Sequence, residues 1–192
     1  MKIKVLLIAI LIINFSEIKS QVSGTHVIES NKQISLPYNR LIQPAGIQIF
    51  FGDASRENHA LDAVLSPDGK WLAVEERYSI VFISTSDNSV KYVLRNTENK
   101  DLGGGMNTYS GIIWRSVKNG MEVFWSAVGR GDRSYVVSAR WDGEKAEFQR
   151  IFEYQTDPGS EMALPNEILI RKESRREYLY VVLNGNNKVI KQ

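Results

Sequence analysis

Leu61-Asp-Ala-Val-Leu-Ser-Pro-Asp-Gly-Lys-Trp-Leu-Ala-Val74 reads as two short apolar strands joined by a tight turn, Ser66-Pro-Asp-Gly69. Proline at the second turn position presets φ, and glycine tolerates the backbone that follows. Outward from this hairpin the chain continues as short runs rich in Val, Ile, Phe, Tyr and Trp, punctuated by Gly, Asn and Asp. A first unit places strands at 60–65, 71–75, 79–84 and 90–94, with turns at Glu76-Arg77 and Ser86-Asp-Asn-Ser89. A second places them at 110–114, 122–127, 135–141 and 146–154, with hairpins at Lys118-Asn-Gly120 and Asp142-Gly143. A third supplies 167–170, 178–183 and 188–191. No stretch sustains an i, i+3, i+4, i+7 apolar period over a dozen residues, so the chain reads as all-β.

The units repeat in phase. Gly69 and Gly120 stand 51 residues apart, and the second strands of the second and third units, starting near Glu122 and Tyr178, are about 56 apart. Four short strands in each repeat of roughly 40–50 residues is the pattern of a β-propeller. The expected fold is therefore a β-propeller of four-stranded antiparallel blades, incomplete at about two and a half blades; a sandwich of about ten short strands is the alternative. Trp71, Trp114, Trp125 and Trp141 fall on strands and are expected to pack between blades.

The first twenty residues follow another logic. Met1-Lys-Ile-Lys4 is basic, Val5 to Phe15 is an apolar run broken only by Asn14, and small Ser20 precedes Gln21. This is the pattern of a signal peptide, and the apolar run is too short to span a bilayer of about 30 Å. The expected division is a signal peptide at 1–20, a polar lead-in at 21–35 and a partial propeller domain at 36–192, exported to the periplasm or medium without a membrane anchor. With no cysteine, disulfides, thiolate metal sites and a lipidated cysteine are excluded. Removing Lys2, Lys4, Lys19 and Glu17 leaves 21 basic and 21 acidic residues. That interspersed balance lacks the basic stripe of a nucleic-acid binder.

Three segments carry a family resemblance: Leu41-Ile-Gln-Pro-Ala-Gly-Ile-Gln-Ile-Phe-Phe-Gly-Asp53, Leu65-Ser-Pro-Asp-Gly-Lys70 and Tyr180-Val-Val-Leu-Asn-Gly-Asn-Asn-Lys-Val189. They resemble the bacterial YncE-like propellers, also called YVTN-repeat or lactonase-like propellers, from about Leu36 onward. The lead-in is similar to that of the subgroup whose propeller precedes an alkaline-phosphatase-superfamily phosphoesterase domain. The second unit departs from the pattern, with Arg115-Ser-Val-Lys-Asn-Gly120 where another Ser-Pro-Asp-Gly would stand. The resemblance implies about seven blades, so this chain is expected to be the N-terminal part of a longer product. Its open blade edge would invite self-association.

Catalytic signatures are sparse. His26 and His59 cannot make a three-histidine metal site, and no Gly-x-Ser-x-Gly elbow occurs. Leu102-Gly-Gly-Gly-Met106 lacks the Lys-Ser/Thr of a phosphate loop and reads as a flexible connection between blades; Arg130-Gly-Asp132 reads as turn chemistry. No catalytic, cofactor or metal residue is expected. In a propeller, the connections entering each blade and those between its second and third strands open on one face. The candidate ligand-binding residues are accordingly His59, Glu76, Arg77, Asn107, Asn166, Glu167 and Asn184. The expected role is recognition of a small molecule, glycan or protein, with any phosphoesterase chemistry in a separate domain. A lactonase-like hydrolase and an independent secreted interaction protein are the alternatives.

Overall fold

The computed structural model describes residues 27–29, 34–42, 46–53 and 55–192. The expected signal peptide and its cleavage position lie outside the described residues, as does His26. Within them the protein is all-β and antiparallel, with three short 3-10 turns and no α-helix. Two small ribbons come first: β1 (Val27–Glu29) pairs with β4 (Ile47–Ile49), and β2 (Ile34–Leu36) with β3 (Arg40–Ile42). The lead-in is thus tied by backbone hydrogen bonds to the segment after it.

Three meanders follow. The first sheet runs β5 (Ala60–Leu65), β6 (Trp71–Glu76), β7 (Ser79–Ser84), β8 (Val90–Arg95). The second runs β9 (Met106–Val117), β10 (Gly120–Val128), β11 (Ser134–Trp141), β12 (Ala146–Tyr154), and the third β13 (Pro165–Glu173), β14 (Arg176–Leu183), β15 (Lys188–Lys191). The turn that opens the first sheet is built as its residues dictate. Ser66 N donates to Trp71 O at 2.7 Å, Ser66 Oγ donates to Asp68 Oδ1 at 2.7 Å, and Gly69 takes φ +72°. Glycine is at no disadvantage there, whereas a side chain would be.

The sheets stack three deep. Between the first and second lie Ile80, Phe82, Trp114, Trp125, Val137 and Trp141, with Phe82 stacked on Trp141 at 4.4 Å and Trp71 edge-on to it at 5.1 Å. Between the second and third lie Phe124, Val136, Ile168, Leu179, Val181 and Leu183. The remaining face of the first sheet, Val74, Val81 and Ile83, is covered by Ile49 and Phe51. The four tryptophans pack at the junction of the first two sheets. Leu169, Val182 and Val189 stay exposed on the third sheet.

The entering strands β5, β9 and β13 are neighbours, and Trp114 Nε1 donates to Val64 O across the first gap at 3.0 Å. The described strands do not close into a barrel or ring. Two local expectations are corrected. β9 is twelve residues long where five were expected, because a bulge lets polar Asn107 and Thr108 join the strand ahead of Ser110 and the hairpin to β10 extends it to Val117. The Gly103–105 run is closely packed rather than loose: a methyl group on Gly105 would overlap the Val128 carbonyl, while Leu102 is fully buried.

Candidate functional site

The site begins with the β9 bulge. Trp125 pairs with Ile112 and Ala127 with Asn107, so residues 108–111 all stand opposite Ser126. Ser126 Oγ fills the gap, donating to Ser110 O at 2.6 Å and sharing a hydrogen bond with Thr108 Oγ1. Ser110 Oγ donates to Asn166 O on one side, and Gly111 N donates to Asp62 Oδ2 at 3.2 Å on the other. Pinned between its neighbours, the bulge turns Tyr109 outward with 83% of its surface exposed. A strand interrupted this way re-aims a side chain without breaking the sheet.

Asn107 anchors the same strand end. Its Nδ2 donates to Glu76 O at 2.6 Å and Ser79 O at 3.1 Å, closing the β6–β7 turn onto the second sheet. Its Oδ1 accepts from Asn96 Nδ2 at 3.0 Å and Trp125 Nε1 at 3.1 Å. Buried to 3% and hydrogen-bonded at both side-chain atoms, Asn107 acts as a clasp between sheets.

Around these two residues lies a cavity of about 790 Å³. Every connection expected to open on the binding face contributes to it except the one after β14: His59 before β5, Arg77 between β6 and β7, Gly105 before β9, Asp132 between β10 and β11, and Leu164 before β13. On its rim Glu57 accepts from Arg77 Nη1 at 2.7 Å and stands 3.1 Å from His59 Nε2. These hydrogen bonds, from His59 and then Arg77, hold the Glu57 carboxyl below its ordinary range. The Arg77 guanidinium also lies over the Tyr78 ring at 5.4 Å. The rim therefore offers donors and acceptors with Glu57 and Arg77 already paired to each other, beside the apolar faces of Tyr109, Met106 and Leu164.

The expected site residues divide. His59, Arg77 and Asn107 line this cavity, Asn107 with its polar atoms already engaged. Glu76 faces a neighbouring depression; it is buried, accepts from Ser79 Oγ, and burial pushes its pKa up. Asn166 offers its carbonyl to Ser110, Glu167 Oε1 accepts from Ile168 N at 3.1 Å, and the Asn184 backbone N–H donates to Leu164 O at 2.9 Å; none of the three lines either hollow.

Tyr109 and Glu57 were missed. Gly111 inside an apolar run was the available signal for Tyr109, since an isolated strand glycine suggests a bulge. Glu57 left no signal, because its partners are fixed only by the folded loop. Deeper in, Glu75 is fully buried, and neither carboxyl oxygen has a hydrogen-bond partner among the described residues. Burial, with the nearby charges of Asp62 and Glu167, pushes its pKa up to about 9. Among the described residues no group of three or more His, Cys, Asp or Glu is placed to hold a metal.

No protein-family model matches the chain, and no curated protein or solved structure is significantly similar to it.

Proposed function

We propose that this chain is part of an exported β-propeller of the YncE-like kind and serves as a recognition module that binds its ligand in the mouth cavity, without catalytic groups of its own. The propeller reading is supported by blade-like features: meandering antiparallel sheets stacked face to face, with the entering strands β5, β9 and β13 side by side. The observation that carries the recognition reading is the convergence of five successive connections on one cavity. Concave sites of roughly 300–1,000 Å³ with apolar walls and a few fixed polar groups are the usual form of a ligand pocket.

The lining favours an uncharged ligand with a flat apolar face and hydroxyl groups, as in a neutral glycan. Tyr109 supplies the stacking surface, and the Glu57–Arg77–His59 cluster supplies hydrogen bonds. Titration of the purified chain with a panel of neutral oligosaccharides, followed by amide chemical shifts, tests this. Binding that moves signals of Tyr109, Arg77 and Asp132, and weakens about tenfold in Tyr109→Ala, supports the reading. A panel that leaves those signals unmoved counts against it. Tyr109→Ala should melt with the parent chain because the ring is exposed.

A further inference from the structure

A second hollow, of about 360 Å³, lies between residues 50–58 and the face of the first sheet turned away from the second. Its shape depends on Gly52. At φ +103° this residue lets the segment pass so close to the sheet that a Cβ would stand 2.7 Å from Glu76 Oε1 and 2.9 Å from Asn58 Nδ2. One wall is apolar, formed by Phe51, Val90 and Val93. The other side carries Arg56 and Arg95 with Tyr78 and Thr97, the Arg56 guanidinium lying over the Tyr78 ring at 5.7 Å.

The charges do not cancel. Asp53 is the facing anion, and its Oδ2 lies 4.0 Å from Arg56 Nε, at the limit of an ion pair. Arg95 forms no ion pair among the described residues. Glu76 on the floor is buried and hydrogen-bonded to Ser79 Oγ, and burial disfavours its charged form. The hollow thus holds two cations against one fixed anion, next to a half-buried apolar wall. A dianion such as phosphate would be repelled by Asp53 and would leave Phe51, Val90 and Val93 wet. A planar monoanion suits the guanidinium forks better.

We propose that this hollow binds a small carboxylate with an apolar body, its carboxyl group between Arg56 and Arg95 and its body against Phe51, Val90 and Val93. A free aliphatic or aryl acid and the C-terminal residue of an apolar-ended peptide share this chemistry. The site is separate from the mouth cavity and does not depend on the glycan reading.

Three probes decide it on the full chain, with amide shifts of Arg95 and Thr97 as readout: phenylacetate, N-acetyl-alanyl-phenylalanine, and the C-terminal amide of that peptide. At least one carboxylate should bind with a dissociation constant of about 1 mM, given its few atoms, and the amide should bind at least about tenfold more weakly. Preference between the two carboxylates identifies the source. Arg95→Gln and Arg56→Gln should each weaken binding about tenfold with unchanged melting, since both side chains are exposed. Tyr109→Ala should leave it intact. Silence of both carboxylates at ~20 mM overturns the proposal. So does equal binding of the amide, no effect of either arginine substitution, or loss of binding in Tyr109→Ala.

Discussion

Asn107 joins elements that are distant in sequence, and its four hydrogen bonds have no substitute in the surrounding apolar core. Asn107→Ala leaves the Trp125 indole N–H and the Asn96 side-chain amide without the oxygen they share, in a buried junction. Unsatisfied buried groups cost roughly 1–3 kcal/mol each, so a loss of about 3 kcal/mol is expected in urea denaturation. Glu75 presents the opposite situation, a buried carboxyl whose charged form nothing nearby stabilises. Its folded pKa of about 9 lies above the ordinary value of 4.5. Between those values the folded chain keeps a proton that the unfolded chain releases. Stability therefore falls as pH rises through this window, by about 1.4 kcal/mol per pH unit at most from this group, and is independent of it below the window. Glu75→Gln should flatten the decline, measured by urea denaturation at about pH 5 and about pH 8. A decline equally steep in the variant would contradict the burial of this side chain.

At the scale of elements, the β9 bulge links fold to site. Gly111 takes φ +104°, and a Cβ would stand 2.8 Å from Ser126 Oγ and 3.0 Å from the Asn166 carbonyl. Gly111→Ala combines backbone strain with this crowding and should cost about 2 kcal/mol in thermal unfolding, while loosening the placement of Tyr109. The contrast with Gly69 is instructive: its φ is +72°, but nothing lies within 4 Å of a Cβ there. Local chemistry made that turn legible, since Ser66, Pro67, Asp68 and Gly69 all act within the turn they form. Strand β5 was readable for the same reason, its apolar run being bounded by that turn. The true length of β9 was not readable, because Asn107 and Thr108 look like loop residues until Trp125 and Ser126 supply their partners. The same holds for the candidate site. His59 and Arg77 were legible from their place beside strand ends, whereas the commitment of Asn107 to the core and the aim of Tyr109 depend on contacts across sheets.

For the whole molecule, the decisive feature is that the second sheet is buried on both faces. A two-layer sandwich would expose one face of each sheet and give its strands an alternating sensitivity to substitution. Here Val136 and Val137, neighbours on β11, are both fully buried on opposite faces: Val136 against the third sheet and Val137 against the first. This three-layer order brings the entering strands side by side and gathers their connections around the mouth cavity. Equilibrium denaturation of Val136→Ala and Val137→Ala, each alone, tests it most directly. Both substitutions should cost about 2 kcal/mol, because each removes packed methyl groups from a closed interface. A loss confined to one of the two, with the other within about 0.5 kcal/mol of the parent chain, would mean that one face of this sheet is solvated and would contradict the stacked-sheet architecture.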